Sequence, residues 1–518
     1  MRRARILVLP ALSIAIAAAQ TVDANKLLHP PPDAWLTYHG EYNGQRHSRL
    51  TQITPDNVAR LALAWTFPTG QNQAIKASPI LVDGVLYLTT PDNLWAIDAR
   101  TGKQRWHYRH PANNAFHIGH RGAAVYKNTV YLTTPDCHLI AFNAEDGRKK
   151  WDVIVADSNK GYWSTNAPLV VGNHVLVGVS GDFDNVPGQL KSIDADTGKL
   201  QWTFYSTPPA GTPDSKSGGA NPDSGGATGG QMWTTGTYDP VLNLVFVGTG
   251  NPTPVLNGAA RPGDNPWTCS IVALNPETGK LVWGFQVSPH DTHDWDANEI
   301  PVLVDADFGG QPRKMLMQAS RNGYFFVLDR TTGKNLLTAP FATVNWSKGI
   351  DSLGRPIPNA AKEPSRDGVL VAPMESGATN FRPPSFDPQT GLFLVSAQDG
   401  YGIYFFKPEH GGYGWAGADY NIAGKSFLRA IDYHTGRIVW NHPIGDGAGT
   451  AGVLTTDTGV TISGDNRTSV MALRTRDGAT LWHQDIGHME NAPITYELDG
   501  KQYVLVAGGP SLYAFALP

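Results

Sequence analysis

One short phrase recurs along almost the whole of this 518-residue chain, and it restricts the fold before any single residue is interpreted. The phrase runs apolar-x-Asp/Asn-x-x-Thr/Asp-Gly-Lys/Arg-x-x-Trp. AIDARTGKQRW ends at Trp106, AFNAEDGRKKW at Trp151, SIDADTGKLQW at Trp202 and ALNPETGKLVW at Trp283. VLDRTTGKNLL follows at Leu337, AIDYHTGRIVW at Trp440 and ALRTRDGATLW at Trp482. Each reads as a strand, a tight turn in which Gly supplies a positive φ, and a second strand that opens on a bulky ring. Successive ring positions lie 42 to 103 residues apart and cluster near the length of one four-stranded blade, with two large insertions. Four short strands cannot bury both faces alone, so such units stack about an axis, each Trp filling the gap to its neighbour; the expected fold is an all-β propeller.

The two ends of the chain decide the count. LALAWTF, with Trp65, matches a final strand that lacks its turn, whereas SLYAFALP, from Ser511 to Pro518, supplies the preceding strand and lacks the Trp. Joined, they form one composite blade that hides the last edge from solvent, giving eight with the seven complete phrases. The domain reading is therefore a signal peptide over 1–19 and one eight-bladed propeller over 20–518. Arg2, Arg3 and Arg5 precede the apolar run ILVLPALSIAIAAA with its small-x-small exit at Ala17 and Ala19, the pattern of a secretory leader too short to span a bilayer well. A soluble, periplasmic protein with no integral membrane segment is expected after its removal.

The chain carries 41 Lys and Arg against 45 Asp and Glu, and loss of the three leader arginines makes it more acidic still. No basic stripe suits nucleic acid. Cys137 and Cys269 occupy similar strand positions in different blades, which predicts two buried thiols in place of a disulfide. There is no CxxCH, so covalently attached c-type haem is not expected.

Repeats account for architecture only, so function has to come from residues that break them, and these cluster between Arg121 and Arg321. The densest block is GGQMWTTGTYDPVLNLVFVGTGNPTPVLN, followed by RPGDN, SPHDTHDWD and SRNGYFFVLDR. On this block and the repeated phrase, the chain resembles the PQQ-dependent (pyrroloquinoline quinone) alcohol and sugar dehydrogenases over nearly all of its length after the leader. Asn251 follows Trp233 by 18 residues, Asp294 follows Asn251 by 43 and Arg321 by 70, in the order and spacing of that family.

The resemblance implies roles residue by residue. Trp233 is the floor on which the flat quinone stacks, as an indole can cover a cofactor face without making hydrogen-bond demands on it. Asn251, in GTGNP, offers an amide oxygen to a hard cation beside the quinone. Asp294 takes the substrate hydroxyl proton, and Arg321 donates to the quinone oxygen where charge develops. Arg121, in HRGAAVY, binds a cofactor carboxylate, with Thr165 and Ser180 as further cofactor contacts. Asn380, in GATNFRPPSFDP, belongs to a loop near the quinone rim.

Three departures qualify this. Where alcohol dehydrogenases of the family carry a vicinal Cys-Cys pair, this chain has NNAFHIGHRG, and His117 resembles instead the histidine that membrane glucose dehydrogenases place over the cofactor. A glutamate metal ligand expected three residues after Ser180 is replaced by Phe183, between Asp182 and Asp184, and another glutamate contact is replaced by Lys76. Asp296 resembles the additional ligand of lanthanide-using members, although members with ordinary divalent cations also show Asp-x-Asp; the metal expected first is calcium, with a lanthanide as the alternative. The insertion from Pro208 to Gly230 is rich in Gly, Ser, Pro and Asp and is expected to be mobile.

The resulting expectation is oxidation of an alcohol or sugar hydroxyl, with electrons passed to an external acceptor such as a periplasmic cytochrome c or quinone. Two rivals stand beside it: a non-catalytic propeller scaffold for protein assembly, and a quinoprotein that has lost its metal.

Overall fold

The structure is a computed structural model that describes residues 22–111, 119–181, 186–207, 228–410, 412–447 and 451–518. The expected leader, His117, the Asp182–Asp184 stretch and most of the Pro208–Gly230 insertion lie outside the described residues. Within them the chain is almost entirely β, with two short helices, Ala24–Leu28 and Gly412–Trp415.

Eight sheets of four or five strands follow one another along the described residues. The simplest pairs Ile80–Val82, Val85–Thr90, Asn93–Asp98 and Gln104–Arg109 in sequence order, each antiparallel to the next. Early and late chain share one sheet: Ala62–Pro68 pairs antiparallel with Ser511–Ala516, Leu63 standing opposite Phe515, and Lys501–Gly508 and Ile494–Leu498 complete it.

The repeated phrase is legible atom by atom. Its Asp or Asn caps the turn: Asp98 Oδ1 accepts from the backbone N–H groups of Arg100 and Thr101 and from the Thr101 hydroxyl, and Asp194, Asn275 and Asp329 repeat this with their own turns. A register shift just before the ring position, as between Ala96 and Ile97 opposite Gln104 and Trp106, adds local twist at the outer strand.

The ring then docks on the following sheet. Indole Nε1 of Trp65, Trp106, Trp202, Trp283 and Trp440 donates to the carbonyls of Ala99, Ala144, Pro276, Arg330 and Thr475, each one residue past the cap position of the next phrase, which is Asp or Asn except at Arg474. Beneath each indole lies the turn glycine of that phrase. Gly333 has φ +72°, and a Cβ there would stand 2.6 Å from Trp283; Gly478, at φ +70°, would meet Trp440 at 2.7 Å. Glycine is thus required twice, by the left-handed turn and by the ring above it. Leu337 carries no indole, and its place over Gly436 is taken by Ala339 and the Leu337 side chain. Trp482 packs edge-on against Phe515 of the sheet shared by early and late strands, with ring centroids 5.2 Å apart.

Cys137 and Cys269 are buried free thiols, as the blade separation predicts. Burial pushes the Cys137 thiol up to about 12.

Gly333→Ala should destabilise the protein by about 1–2 kcal/mol from the left-handed backbone alone, with more from the contact with Trp283. A calorimetric melt that leaves Tm unchanged would mean that the turn and ring do not form this lock.

Candidate functional site

Four consecutive sheets deliver polar residues to one end of the molecule, for a topological reason. Arg121, Thr165, Trp233 and the pair Asp294 and Asp296 precede the first strands Ala124–Tyr126, Leu169–Val171, Thr237–Asp239 and Val302–Asp307. Ser180, Asn251 and Arg321 follow the second strands His174–Val179, Leu244–Gly248 and Pro312–Ala319. First and second strands are antiparallel, so the start of one and the end of the other share the same edge.

At that edge Asp296 is the hub. Its Oδ1 accepts from the Asn251 backbone N–H (2.6 Å), and its Oδ2 accepts from Trp233 Nε1 (2.7 Å) and Arg321 Nη1 (3.1 Å). Arg321 Nη2 in turn donates to Asp294 Oδ2 (3.0 Å) and to the backbone and side-chain oxygens of Glu375 (2.7 and 3.1 Å). Trp233, Asn251, Asp294, Asp296 and Arg321 are all buried. The close approach of GTGN to this hub needs its second glycine, because a Cβ at Gly250 would stand 2.9 Å from Asp296 Oδ1 and 3.1 Å from Gln231 Oε1.

Asp294 sits on strained backbone, with φ +64° at a non-glycine residue. Asp291 holds it there: one carboxylate oxygen accepts from the backbone N–H groups of His293, Asp294 and Trp295 at 3.3, 3.0 and 3.2 Å. Burial nonetheless pushes the Asp291 carboxyl up to about 6. His293 is structural: its ring stacks on Trp295 (4.4 Å, 16°), Nε2 faces the Lys362 carbonyl at 2.9 Å, and burial lowers its pKa to about 4.

Around Trp233 the environment is cationic. The Arg121 guanidinium lies 4.6 Å from the indole centroid and donates to Thr165 Oγ1 (2.5 Å), while Thr165 Oγ1 donates to the Trp233 carbonyl (3.4 Å). Phe381 stands edge-on to Trp233 and is flanked by Lys76, Arg121 and Arg382 at 5.7, 4.8 and 4.8 Å. Burial lowers the pKa of Arg121 and of Arg382 to about 10, still far above neutrality. Lys76, in place of the expected glutamate, pairs with Glu490 at 3.2 Å. Asn380 clasps its own loop, donating to the Ser376 carbonyl and accepting from the Phe381 N–H.

Several buried polar atoms here have no hydrogen-bond partner: Asn251 Oδ1, both amide atoms of Gln231, Ser180 Oγ, Glu299 Oε1, Arg121 Nε and Arg321 Nε. Such atoms are costly unless satisfied by a bound group. Charge points the same way. Burial opposes the Arg321 cation, yet Asp294, Asp296, Glu375 and Glu299 outweigh it and hold its pKa well above the usual. Burial raises the Asp296 carboxyl too, opposed by Arg321 and its hydrogen bonds. One guanidinium thus faces several carboxylates, and an amide oxygen beside them completes an oxygen-rich, net-anionic place that fits a hard cation. The cationic and aromatic groups about Trp233 fit a flat polyanion.

Gln231, Glu299, Glu375, Phe381 and Arg382 were not among the residues singled out from the sequence. Gln231 stands two residues before Trp233 and Phe381 directly after Asn380, so proximity to recognised positions was the available signal. Glu299 and Glu375 had none, since only the fold brings them to Arg321.

A family model described as "Glucose/ethanol/alcohol dehydrogenase, beta-propeller domain" matches residues 35–348, and one described as "Outer membrane protein assembly factor BamB" matches residues 424–517. The quinoprotein alcohol dehydrogenase PedH of Pseudomonas putida is 35% identical over 97% of this chain and 91% of its own length. The crystal structure of quinohemoprotein alcohol dehydrogenase from Comamonas testosteroni superposes with a TM-score of 0.91 at 31% identity, over 97% of this chain and 83% of that one. A europium-containing methanol dehydrogenase gives a TM-score of 0.85 at 28% identity, over 95% and 100%.

Burial raises the Glu299 carboxyl to about 8, so the folded state holds a proton that the unfolded chain gives up near pH 4.5. Stability of the metal-free protein should therefore fall as pH rises from about 5 to about 8, by at most about 1.4 kcal/mol per pH unit from this one group. Glu299→Gln should flatten that fall in a calorimetric Tm series; an equal slope in the variant would place the proton elsewhere.

Proposed function

The chain belongs to the glucose/ethanol/alcohol dehydrogenase family of PQQ β-propellers and is a quinoprotein alcohol dehydrogenase; from that premise we propose how its own residues carry out the oxidation. The observation that carries the reading is the hydrogen-bonded chain Trp233–Asp296–Arg321–Asp294, with Asn251 bonded to the same Asp296.

The eight sheets are eight blades of one domain over 20–518, closed where Ala62–Pro68 meets Ser511–Ala516. Trp233 would floor the cofactor site, with Arg121, Thr165, Ser180 and Asn380 about it and His117 assigned to it by resemblance alone; Asn251 Oδ1, Asp294 and Asp296 would hold the metal, calcium first and a lanthanide as the alternative. When bound, PQQ would supply an electrophilic carbonyl able to accept hydride, and the metal would supply Lewis acidity.

The two aspartates divide the work by environment. Both oxygens of Asp296 are engaged by Asn251, Trp233 and Arg321, which makes it an anchor. Asp294 has the more open side chain, 11% exposed against 4%, and Arg321 orients its Oδ2 at 3.0 Å. Asp294 takes the alcohol hydroxyl proton, which increases the hydridic character of the carbinol C–H. His293 is excluded as the base, because its Nε2 is committed to a carbonyl and it resists protonation. Electrons leave to an external acceptor, a periplasmic cytochrome c or quinone, and the leader-like 1–19 segment supports export to that compartment.

Purified protein incubated with PQQ and either calcium or lanthanum should reduce a redox dye with ethanol. Asp294→Asn should retain cofactor absorbance and lose about 10²–10⁴-fold in kcat, whereas Trp233→Ala should lose cofactor first. Full activity in Asp294→Asn would remove the base assignment. Failure of the wild type to bind PQQ at about micromolar concentration would favour a scaffold.

A further inference from the structure

A second cluster of metal-ligand side chains is carried by two sheets other than the one that carries Asp294 and Arg321. His110 follows the edge strand Gln104–Arg109 of one sheet. Asp136 and His138 flank the turn between Thr129–Thr133 and His138–Asn143 of the next sheet. Each offers one ligand atom, and the three atoms lie within 4.8 Å of one another. Cys137 between them has φ +65°, and this left-handed residue tightens the turn that carries both neighbours.

One imidazole is already oriented as a ligating one is. His138 Nδ1 is held by Asp152 Oδ1 at 2.7 Å; a carboxylate only accepts at neutral pH, so Nδ1 carries the proton and Nε2 keeps its lone pair. By the same rule His110 Nε2, 3.0 Å from both Asp136 oxygens, carries a proton and donates it to that carboxylate, while Nδ1 accepts from the Tyr108 hydroxyl at 3.3 Å; a metal taking up Nε2 and Asp136 releases that proton. At His138 an outer hydrogen bond thus fixes the tautomer and leaves the other nitrogen for a metal. Asp136 is steadied by the Thr134 hydroxyl at 2.6 Å. Burial works against its charge, but the bonds from Thr134 and His110 prevail and keep the carboxyl below its usual range. Lys149 pairs with Asp152, so the supporting carboxylate is held from its far side. The three ligand side chains are 7%, 14% and 26% exposed, from His110 to His138, so the cluster is reachable from solvent yet largely sheltered.

We propose that His110, Asp136 and His138 bind one divalent transition-metal ion of the zinc class, distinct from the cation of the oxidation site, and that this ion staples two neighbouring sheets. Two imidazoles and one carboxylate suit zinc, cobalt or copper and are a poor set for calcium, which prefers oxygen alone. Metal–nitrogen and metal–oxygen bonds near 2.0–2.1 Å require the ligand atoms to draw together from their present spread, and water fills the fourth position.

The test uses the full chain after chelator treatment, titrated with Co²⁺ and followed by ligand-field absorption and calorimetry. One Co²⁺ per chain is expected, displaced by Zn²⁺ and not by Ca²⁺, with Zn²⁺ raising Tm. His138→Gln should abolish the absorption band, and Asp152→Asn should weaken binding about 10–100-fold. Retention of alcohol oxidation by His138→Gln, when it is reconstituted with PQQ and calcium, establishes that the variant is folded. The proposal is overturned by an unchanged cobalt spectrum in folded His138→Gln, or by no Co²⁺ uptake by the wild type up to about 1 mM.

Discussion

An indole lying on a glycine of the next sheet is the contact from which the rest of this molecule follows. The ring needs a surface without a Cβ, and the turn needs a residue that tolerates positive φ; one glycine meets both demands, as at Gly333 under Trp283. The indole N–H then finds the carbonyl one residue past the turn cap, so the contact has direction as well as area. Repetition of this lock sets the spacing and rotation between sheets. Loops at one end are thereby held in fixed relation although they are distant in sequence.

That rigidity is what a buried charge cluster requires. Removing carboxylates and a guanidinium from water is expensive, and the expense is tolerable only where geometry is good and the remaining lone pairs are met. At the hub, Asp296 receives a backbone amide and an indole from one sheet and a guanidinium from the next. No single loop could assemble it. The strained backbone at Asp294 persists for the same reason, over-determined by three amides bonded to Asp291.

Much of this was legible in the sequence because its signals were local. The Asp or Asn, the glycine and the ring of each phrase sit within a few residues of one another, so a linear reading recovers the turn and the docking ring, whereas the register shift beside the ring shows only in the folded chain. Trp233, Asn251, Asp294 and Arg321 were recognisable by spacing, which survives because each occupies an equivalent place at the end of a sheet. What the sequence concealed is non-local. Glu375 meets Arg321 only through folding, Glu299 owes its proton to burial, and His110 meets Asp136 and His138 across a sheet boundary. The exchange of glutamate for Lys76 reads differently in three dimensions, where Glu490 comes from the far end of the chain to pair with it.

The sheet in which Leu63 lies opposite Phe515 has a temporal side. Ala62–Pro68, once made, must wait with its hydrogen-bonding edge unpaired until Ser511–Ala516 has followed it from the ribosome. Throughout that interval it is a template for intermolecular pairing. This pairing thus depends on contacts of very large sequence separation, which are slow to find. A circular permutant that joins Ala62–Pro68 directly after Ser511–Ala516 would convert the last event of assembly into a simple hairpin, and its refolding yield would measure how much of the aggregation risk resides in that one seam.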